Sequence, residues 1–430
     1  MHFPPIFAYR AFLVFIITAL YSVFSSAQAP DAAAPKRLHV AVYIDGGKHR
    51  HMIESLYAEF NEQNPDIKLS LAIHRGIQPY EDKVESWLRT GHGPDVVYWY
   101  GGKRIAQFAE QGKILDLQEF WDRNQLSKVI NKASEQAVSF NGHVHAIPAT
   151  TLLWSLYYNQ GQLKEWGLQP PKNWQDMLSM CKTLRAKNIT PIGFGSKTQW
   201  ATHVWFDYLN MRINGLEFYK QLLEGQISYQ DPRVHLALEH WKQLIDADCF
   251  NSNHPHLNIW EAFPKIVLGK TGFSLTEGQP QFVRLPENVV IDVAPFPEIT
   301  PGIPQYTVHP TNVFMIPTYV EWSPELEKLL LFMTSVRFQQ GFSNSLVRVP
   351  AHKNAAGKLS PLNKKVSKVV YNSPGGVQFL DRDSDIRFAS KTPKIFVDFM
   401  QHLDIDKTTQ ELEQLRLSVF GPISSKTEVE

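Results

Sequence analysis

The chain has 430 residues, 20% of them charged and 43% hydrophobic, with 43 Lys and Arg against 42 Asp and Glu. That length suggests about two or three domains, and the balance supports a large soluble core rather than a disordered chain. With almost no net charge, the sequence gives no sign of a nucleic-acid or anionic-membrane partner.

Arg10 precedes an apolar run, Ala11–Phe24, which ends in Ser25-Ser26-Ala27. Small residues at Ser25 and Ala27 suit cleavage of a signal peptide, residues 1–27, after Ala27. The run is shorter than the roughly 20 residues a spanning helix needs; a retained N-terminal anchor is the competing reading. Neither cysteine lies near the cleavage site, which disfavours a lipoprotein. The mature protein is expected to be exported, soluble and periplasmic.

Beyond a Pro/Ala-rich leader, Leu38–Ile44 reads as a strand and His51–Gln63 as a helix with an apolar stripe at Met52, Ile53, Leu56, Tyr57 and Phe60. Ile67–Ile73, Tyr80–Arg89 and Pro94–Tyr98 continue as strand, helix and strand. The β-α-β-α-β order implies a parallel, doubly wound sheet with ligand positions beyond the strands' C-terminal ends. Phe120–Gln136 reads as a helix. Next comes Val144–Asn159, apolar and β-rich on both sides of Pro148, and too broken for a helix. It has the character of a strand crossing between two α/β halves, with Thr150, Thr151 and Trp154 at a cleft mouth; an ordinary buried strand is the plainer alternative.

In the second half, Gly161–Trp166, Trp174–Ala186, Thr202–Ile213, Leu216–Glu224 and Val234–Asp246 read as helices. Pro191–Gly195, Gly269–Leu275 and Val289–Pro295 read as strands. Tyr306–Ile316 and Leu346–Pro350 are candidates for second and third crossings. Helices at Pro324–Thr334, Thr392–Leu403 and Thr408–Val419 follow, then a polar tail, Ser424–Glu430. Cys181 sits on the predicted helix Trp174–Ala186, and Cys249 on the predicted helix of the same half that starts at Val234, read here as running on to Cys249. In an oxidising compartment a disulfide and two buried thiols both remain open.

Trp99 ends a buried-looking strand between Tyr98 and Tyr100, ahead of Gly101-Gly102. Aromatic faces pack on the C–H faces of sugar rings, and glycines let backbone approach a ligand; a tryptophan capping the sheet is the plainer alternative.

Five phrases, LYAEFNEQNPDIKL, GPDVVYWYGGKRIAQFAEQGKILDL, LYYNQGQLKEWGLQPPKNWQDML, GKTGFSL and LLLFMTSVRFQQGF, together resemble the sugar-binding, maltodextrin-binding-protein-like branch of bacterial extracellular solute-binding proteins of ABC importers. The resemblance implies an α/β, two-lobed periplasmic binding protein fold with three interlobe crossings, closing on a mono- or oligosaccharide. Residues 35–148 plus 310–349 would form the N-terminal lobe, and 149–309 plus 350–430 the C-terminal lobe. Position by position, Asp45 and Lys48 match the polar first loop, Trp99 the stacking tryptophan, Trp200 an aromatic of the opposite lobe and Glu277 the second-lobe binding loop. Tyr98, Trp154, Trp205 and Asn312 complete the expected sugar-binding set. Gln279, where an aromatic is expected, and Gly102, where an acid is expected, depart from the maltodextrin pattern. The implied partners are a carbohydrate and a membrane permease, and the chain is expected to act as a monomer.

No P-loop, G-x-S-x-G or H-E-x-x-H is present, so no catalytic group and no cofactor is expected. The pairs His49/His51, His143/His145 and His254/His256 have a spacing able to share a metal, but no cysteine or acid cluster accompanies them; solvated loop histidines are the simpler reading. Two other functions share parts of this reading. A ligand-presenting partner of a membrane sensor kinase would have the same fold, and gene neighbourhood separates the two. A secreted carbohydrate-active enzyme would release reducing ends from a glycan.

Overall fold

The computed structural model describes residues 36–44, 47–278, 283–346 and 348–423. Residues 1–35, with the expected signal peptide among them, lie outside the described residues, as do Asp45, Gln279 and the polar tail.

Strands β1 (Lys36–Tyr43), β2 (Ile67–His74) and β3 (Val96–Tyr100) alternate with helices α1 (Gly47–Gln63) and α2 (Ile77–Thr90). β1 pairs in parallel with both β2 and β3, as the expected β-α-β-α-β order requires. α1 forms because its apolar residues recur every three or four positions. Ile53, Leu56, Tyr57 and Phe60 are all buried, and at roughly 1.5–3 kcal/mol per large buried side chain they hold an otherwise polar helix to the core.

Further strands are β4 (Ala146–Thr151), β5 (Ser155–Asn159), β6 (Thr190–Ile192), β7 (Thr271–Thr276), β8 (Ile291–Ala294), β9 (Thr311–Met315) and β10 (Val349–Pro350). One sheet has the order β10-β4-β9-β3-β1-β2, and a second β8-β5-β7-β6. In the first sheet, β9 is antiparallel to both β3 and β4, so only its β1–β3 part is parallel. Val144–Asn159 thus gives one strand to each sheet, and the chain passes between them at Leu152–Trp154.

Two large buried cores accompany the two sheets. One runs from Leu38 to Ala149 and resumes from Val313 to Ala351. The other runs from Trp154 to Val308 and resumes from Val377 to Leu412. Backbone hydrogen bonds tie the connecting segments to one another: Leu152 N donates to Pro310 O at 2.9 Å and Trp154 N to Val308 O at 3.0 Å. Val349 and Pro350 pair with Thr151 and Thr150. Thr150 and Thr151 are therefore not at a cleft mouth. Both are fully buried; Thr150 Oγ1 donates to Val349 O at 3.2 Å, and Thr151 Oγ1 lies 2.8 Å from Thr311 Oγ1.

The helix expected over Phe120–Gln136 is broken into Gln118–Arg123, a short 3-10 turn at Leu126–Lys128, and Lys132–Gln136. Gln125 at φ 52° interrupts the first, and Asn131 caps the last by accepting from Ser134 N. Helices at Lys103–Glu110, Ile259–Val267, Val336–Leu346 and Pro361–Tyr371 add to those expected. Their signals were partly visible: Ser360-Pro361 is an N-cap followed by a first-turn proline. Pro264 inside Ile259–Val267 hid that helix.

Cys181, on the helix Trp174–Ala186, is bonded to Cys249 with a Cα separation of 5.2 Å. Cys249 lies beyond the helix Pro232–Asp246 rather than within it. The bridge spans 68 positions, and a loop of that size restricts the unfolded chain substantially. Replacing both cysteines with serine is expected to lower stability by about 2–5 kcal/mol; chemical denaturation of the two proteins checks it.

His49, His203 and His309 are each buried against one hydroxyl: Ser345 Oγ at 2.5 Å, Thr392 Oγ1 at 2.8 Å and Thr307 Oγ1 at 2.8 Å. Burial pulls their ionisation down to about 3, 4 and 4, respectively. Since the folded protein keeps these rings neutral, their ring protons should hold neutral-imidazole chemical shifts down to about pH 5 in an NMR titration. A midpoint near 6.5 for any of the three would show that its burial is not maintained in solution.

Candidate functional site: the cleft between the lobes

On the first-lobe side the site grows out of the pairing of β3 with β9, which sets Asn312 opposite Tyr100 and Phe314 opposite Tyr98. Asn312 Nδ2 donates to Tyr98 Oη at 2.7 Å. Its Oδ1 accepts from Arg382 Nη1 at 3.0 Å, and the same guanidinium lies 4.5 Å from the centre of the Tyr100 ring. Arg382 comes from the short helix Leu380–Asp383, in the stretch that returns to the second core. A polar chain therefore runs from β3 through Asn312 into the other lobe.

That approach depends on a missing side chain. A Cβ on Gly102 would sit 2.4 Å from Asp383 Oδ1 and 2.8 Å from Gln378 Cγ, and Gly102 itself has φ 71°. The second-lobe segment occupies the space where relatives are expected to carry an acid. Phe379, within that segment, is held at φ 137°, a region non-glycine residues enter only when the surroundings over-determine it. Asp383 accepts from Gln378 N, yet burial pushes its carboxyl up to about 6.

The second lobe contributes aromatic rings. Trp200, part-buried in a 3-10 turn ahead of the helix His203–Ile213, lies 5.7 Å from Trp154, 6.0 Å from Trp260 and 5.8 Å from Phe379. Trp260, also part-buried, donates through Nε1 to Glu277 Oε1 at 3.3 Å. Glu277 follows the C-terminal end of β7, as the expected binding loop does. Its other oxygen meets Arg348 Nη1 at 3.4 Å, with both side chains four-fifths buried or more. Arg348 stands just before β10 and joins the third crossing to the loop that follows β7.

Electrostatics ties the two halves together. Burial raises the Tyr98 phenol, Arg348 and Arg382 lower it, and Glu277 raises it again. Two guanidiniums, a carboxylate, an amide and two phenols thus act on one small region beside the part-exposed Trp200 and Trp260. Such a set donates and accepts hydrogen bonds around an apolar ring face. Among the described residues no three His, Cys, Asp or Glu converge on a metal position. His49 and His254 bond serines, and His143 bonds Asp116 at 2.6 Å.

The structure distributes the remaining predicted residues unequally. Asp45 is outside the described residues, and so is the side chain of Lys48. Trp154 is buried, its rings turned to Trp200 and Phe379. Trp205 is wholly buried among Phe194, Phe250 and Phe296, inside the second core. Trp99, matched above to the stacking tryptophan, is only 2% exposed. Period-two alternation turns it to the opposite face of β3 from Tyr98, where it meets Tyr80 at 6.3 Å and Phe108 at 5.8 Å, while the ring of its chain neighbour Tyr100 lies 5.1 Å away. Reading the sequence alone missed Arg348, Arg382 and Trp260. Arg348 had a usable signal, since it stands inside a stretch already singled out as a crossing.

This geometry coincides with a known family. The profile of the bacterial extracellular solute-binding proteins matches residues 51–340, and the chain belongs to that family. An uncharacterised ABC transporter extracellular-binding protein of Pyrococcus horikoshii is 22% identical over 364 residues, 80% of each chain. The melibiose/raffinose/stachyose-binding protein MelE of Bacillus subtilis is 24% identical over 305 residues, 68% of each. Among solved structures, the bacterial solute receptor AcbH, described as exclusively preferring β-D-galactopyranose, superposes with a TM-score of 0.79 at 18% identity, covering 90% of this chain and 99% of its own.

Two outcomes test the site's construction. Trp99→Ala should cost about 3–5 kcal/mol of stability, as a core truncation does, which a denaturation curve measures. Arg348→Met removes the Glu277 partner, a charged contact between the lobes worth about 1.5–3 kcal/mol. The ligand-free variant should then be more open, with a larger radius of gyration by solution scattering.

Proposed function

We propose that this protein is the extracellular ligand-binding subunit of an ABC importer and that it takes a mono- or oligosaccharide into the cleft, delivering it to a membrane permease without a catalytic step of its own. The observation that carries the reading is the pairing of part-exposed indoles, Trp200 and Trp260, with the hydrogen-bonding set Glu277, Arg348, Asn312, Arg382 and Tyr98. Sugars present both an apolar ring face and a rim of hydroxyls, and this combination suits both. The names of relatives that bind melibiose, raffinose and stachyose, or β-D-galactopyranose, favour the same class of ligand.

In this reading residues 35–148 plus 310–349 form one lobe, and 149–309 plus 350–430 the other. The lobes close as rigid bodies about Thr150–Leu153, Val308–Thr311 and Val349–Ala351. The chain is exported, cleaved after Ala27 and monomeric in the periplasm. Lys48 and Asp45, matched to the family's polar first loop, are proposed as hydrogen-bonding partners of the sugar, while Trp99 and Trp205 support the site from the two cores.

Calorimetric titration of the purified protein with galactose, melibiose, raffinose, stachyose and malto-oligosaccharides tests the proposal. At least one should bind saturably. Stacking that covers about 60–80 Å² of ring face at roughly 25 cal/mol per Å² contributes about 1.5–2 kcal/mol. Trp200→Ala and Trp260→Ala should each weaken binding roughly ten- to thirtyfold. Absence of saccharide binding, or affinity unchanged in both variants, would sink the reading.

A further inference from the structure

A second cavity, of about 140 Å³, lies within the second lobe and shares no residue with the cleft just described. Arg212, on the helix His203–Ile213, lines it. Arg212 is 1% exposed, and its Nε donates to Phe296 O at 3.3 Å. Its Nη1 is buried and has no hydrogen-bond partner. The nearest aromatic support is the Tyr208 ring, 5.4 Å from the guanidinium.

A guanidinium cannot shed its charge in a protein, so burial does not neutralise it as it would a lysine. Burial lowers this one only to about 10, and the group that opposes the shift is Tyr208, not a carboxylate. Among the described residues Arg212 makes no salt bridge. Buried charges are ordinarily paired, because an unpaired one forfeits its hydration without compensation.

The hydroxyls around it do not supply the missing charge. Ser155 Oγ donates to Ala294 O at 2.6 Å, Thr307 Oγ1 to Ser373 Oγ at 2.9 Å, and Ser373 Oγ to Gly375 O at 2.7 Å. Gln305 and Asn372, both exposed, stand at the cavity's solvent side and can present amide N–H groups. At about 30 Å³ per water, the space suits a small ion with some hydration rather than an oligosaccharide.

We propose that this cavity binds a small oxyanion, of the class of phosphate, sulfate or a carboxylate, against the Arg212 guanidinium, with the Gln305 and Asn372 amides closing over it. The location gives the site a structural consequence. Ser155 directly follows Trp154 and Thr307 directly precedes Val308, the pair hydrogen-bonded where two crossings leave the second lobe. An anion there braces the second-lobe end of the hinge from behind. The inference is independent of what the cleft binds.

The test is a calorimetric titration of the whole protein with inorganic phosphate, sulfate and acetate, each at constant ionic strength. Saturable millimolar binding of at least one is expected, and the three arms identify the preferred anion. Arg212→Met should weaken it at least tenfold, and the exposed-site variant Asn372→Leu severalfold. The second variant also serves if Arg212→Met fails to fold. Melting curves add a control, since phosphate and sulfate raise stability nonspecifically by exclusion from protein surface. The rise in Asn372→Leu should fall below that of the wild type by the site-specific share. No saturable binding of any of the three, or binding undiminished in both variants, overturns the proposal.

Discussion

The whole arrangement hangs on backbone pairing among the three segments that pass between the lobes. Leu152 and Trp154 donate to the second crossing, and Val349–Pro350 lies along Thr150–Thr151. Buried side chains lock the bundle from outside. Gln339 Nε2 donates to Pro148 O and its Oε1 accepts from Ala351 N, both at 2.9 Å, so one amide holds the first and third crossings together. Gln378 Oε1 accepts from Thr311 N at 2.7 Å and does the same for the second. Each such bond contributes only about 1 kcal/mol net. Leaving them unmade in a buried position would cost more, and this fixes the crossings in register. Three paired links permit far fewer relative motions than one flexible linker would.

The division of chemistry between the lobes follows from that constraint. The first lobe offers hydrogen-bonding groups from adjacent strands, Tyr98, Tyr100 and Asn312, whose spacing is set by sheet register. The second offers indoles from a 3-10 turn, Trp200, and from the first turn of the helix Ile259–Val267, Trp260, packed on one another and, through Trp200, on Phe379. Neither set is complete alone. Arg348 and Arg382 reach across and touch the opposite half, so ion pairing and amide contact report on how closely the lobes are set.

Much of the fold was legible in the sequence because period and order are local properties. The stripe of α1, the strand alternation before it and the broken apolar run Val144–Asn159 each carry their own signature. Direction of pairing was not legible beyond β3, because the antiparallel neighbours of β3 and β4 come from more than 150 residues away in sequence. The site was read unevenly for a related reason. Glu277 and Trp200 were picked out by family pattern, and both lie beside Trp260. Trp99 and Trp205 share the residue type of a sugar platform, but which face of a strand or helix looks into a cleft is decided by tertiary packing. Arg382 and Trp260 sit on short or proline-interrupted elements that give no periodic signal.

The strand order also dictates when each half of the molecule can be finished during synthesis. β9 sits between β3 and β4, so those two strands remain as unpaired edges until Thr311–Met315 has been made. The second core is likewise incomplete without the helices from Leu380 to Leu412. Neither lobe can therefore complete its native core on an emerging chain while most of the polypeptide is still to come, and long-range pairing of this kind is slow to form. A ribosome that stops early leaves two unfinished cores, not one finished domain and one missing. Such a nascent chain stays threadable for longer, and more exposed to proteases and aggregation, than one built from consecutive domains.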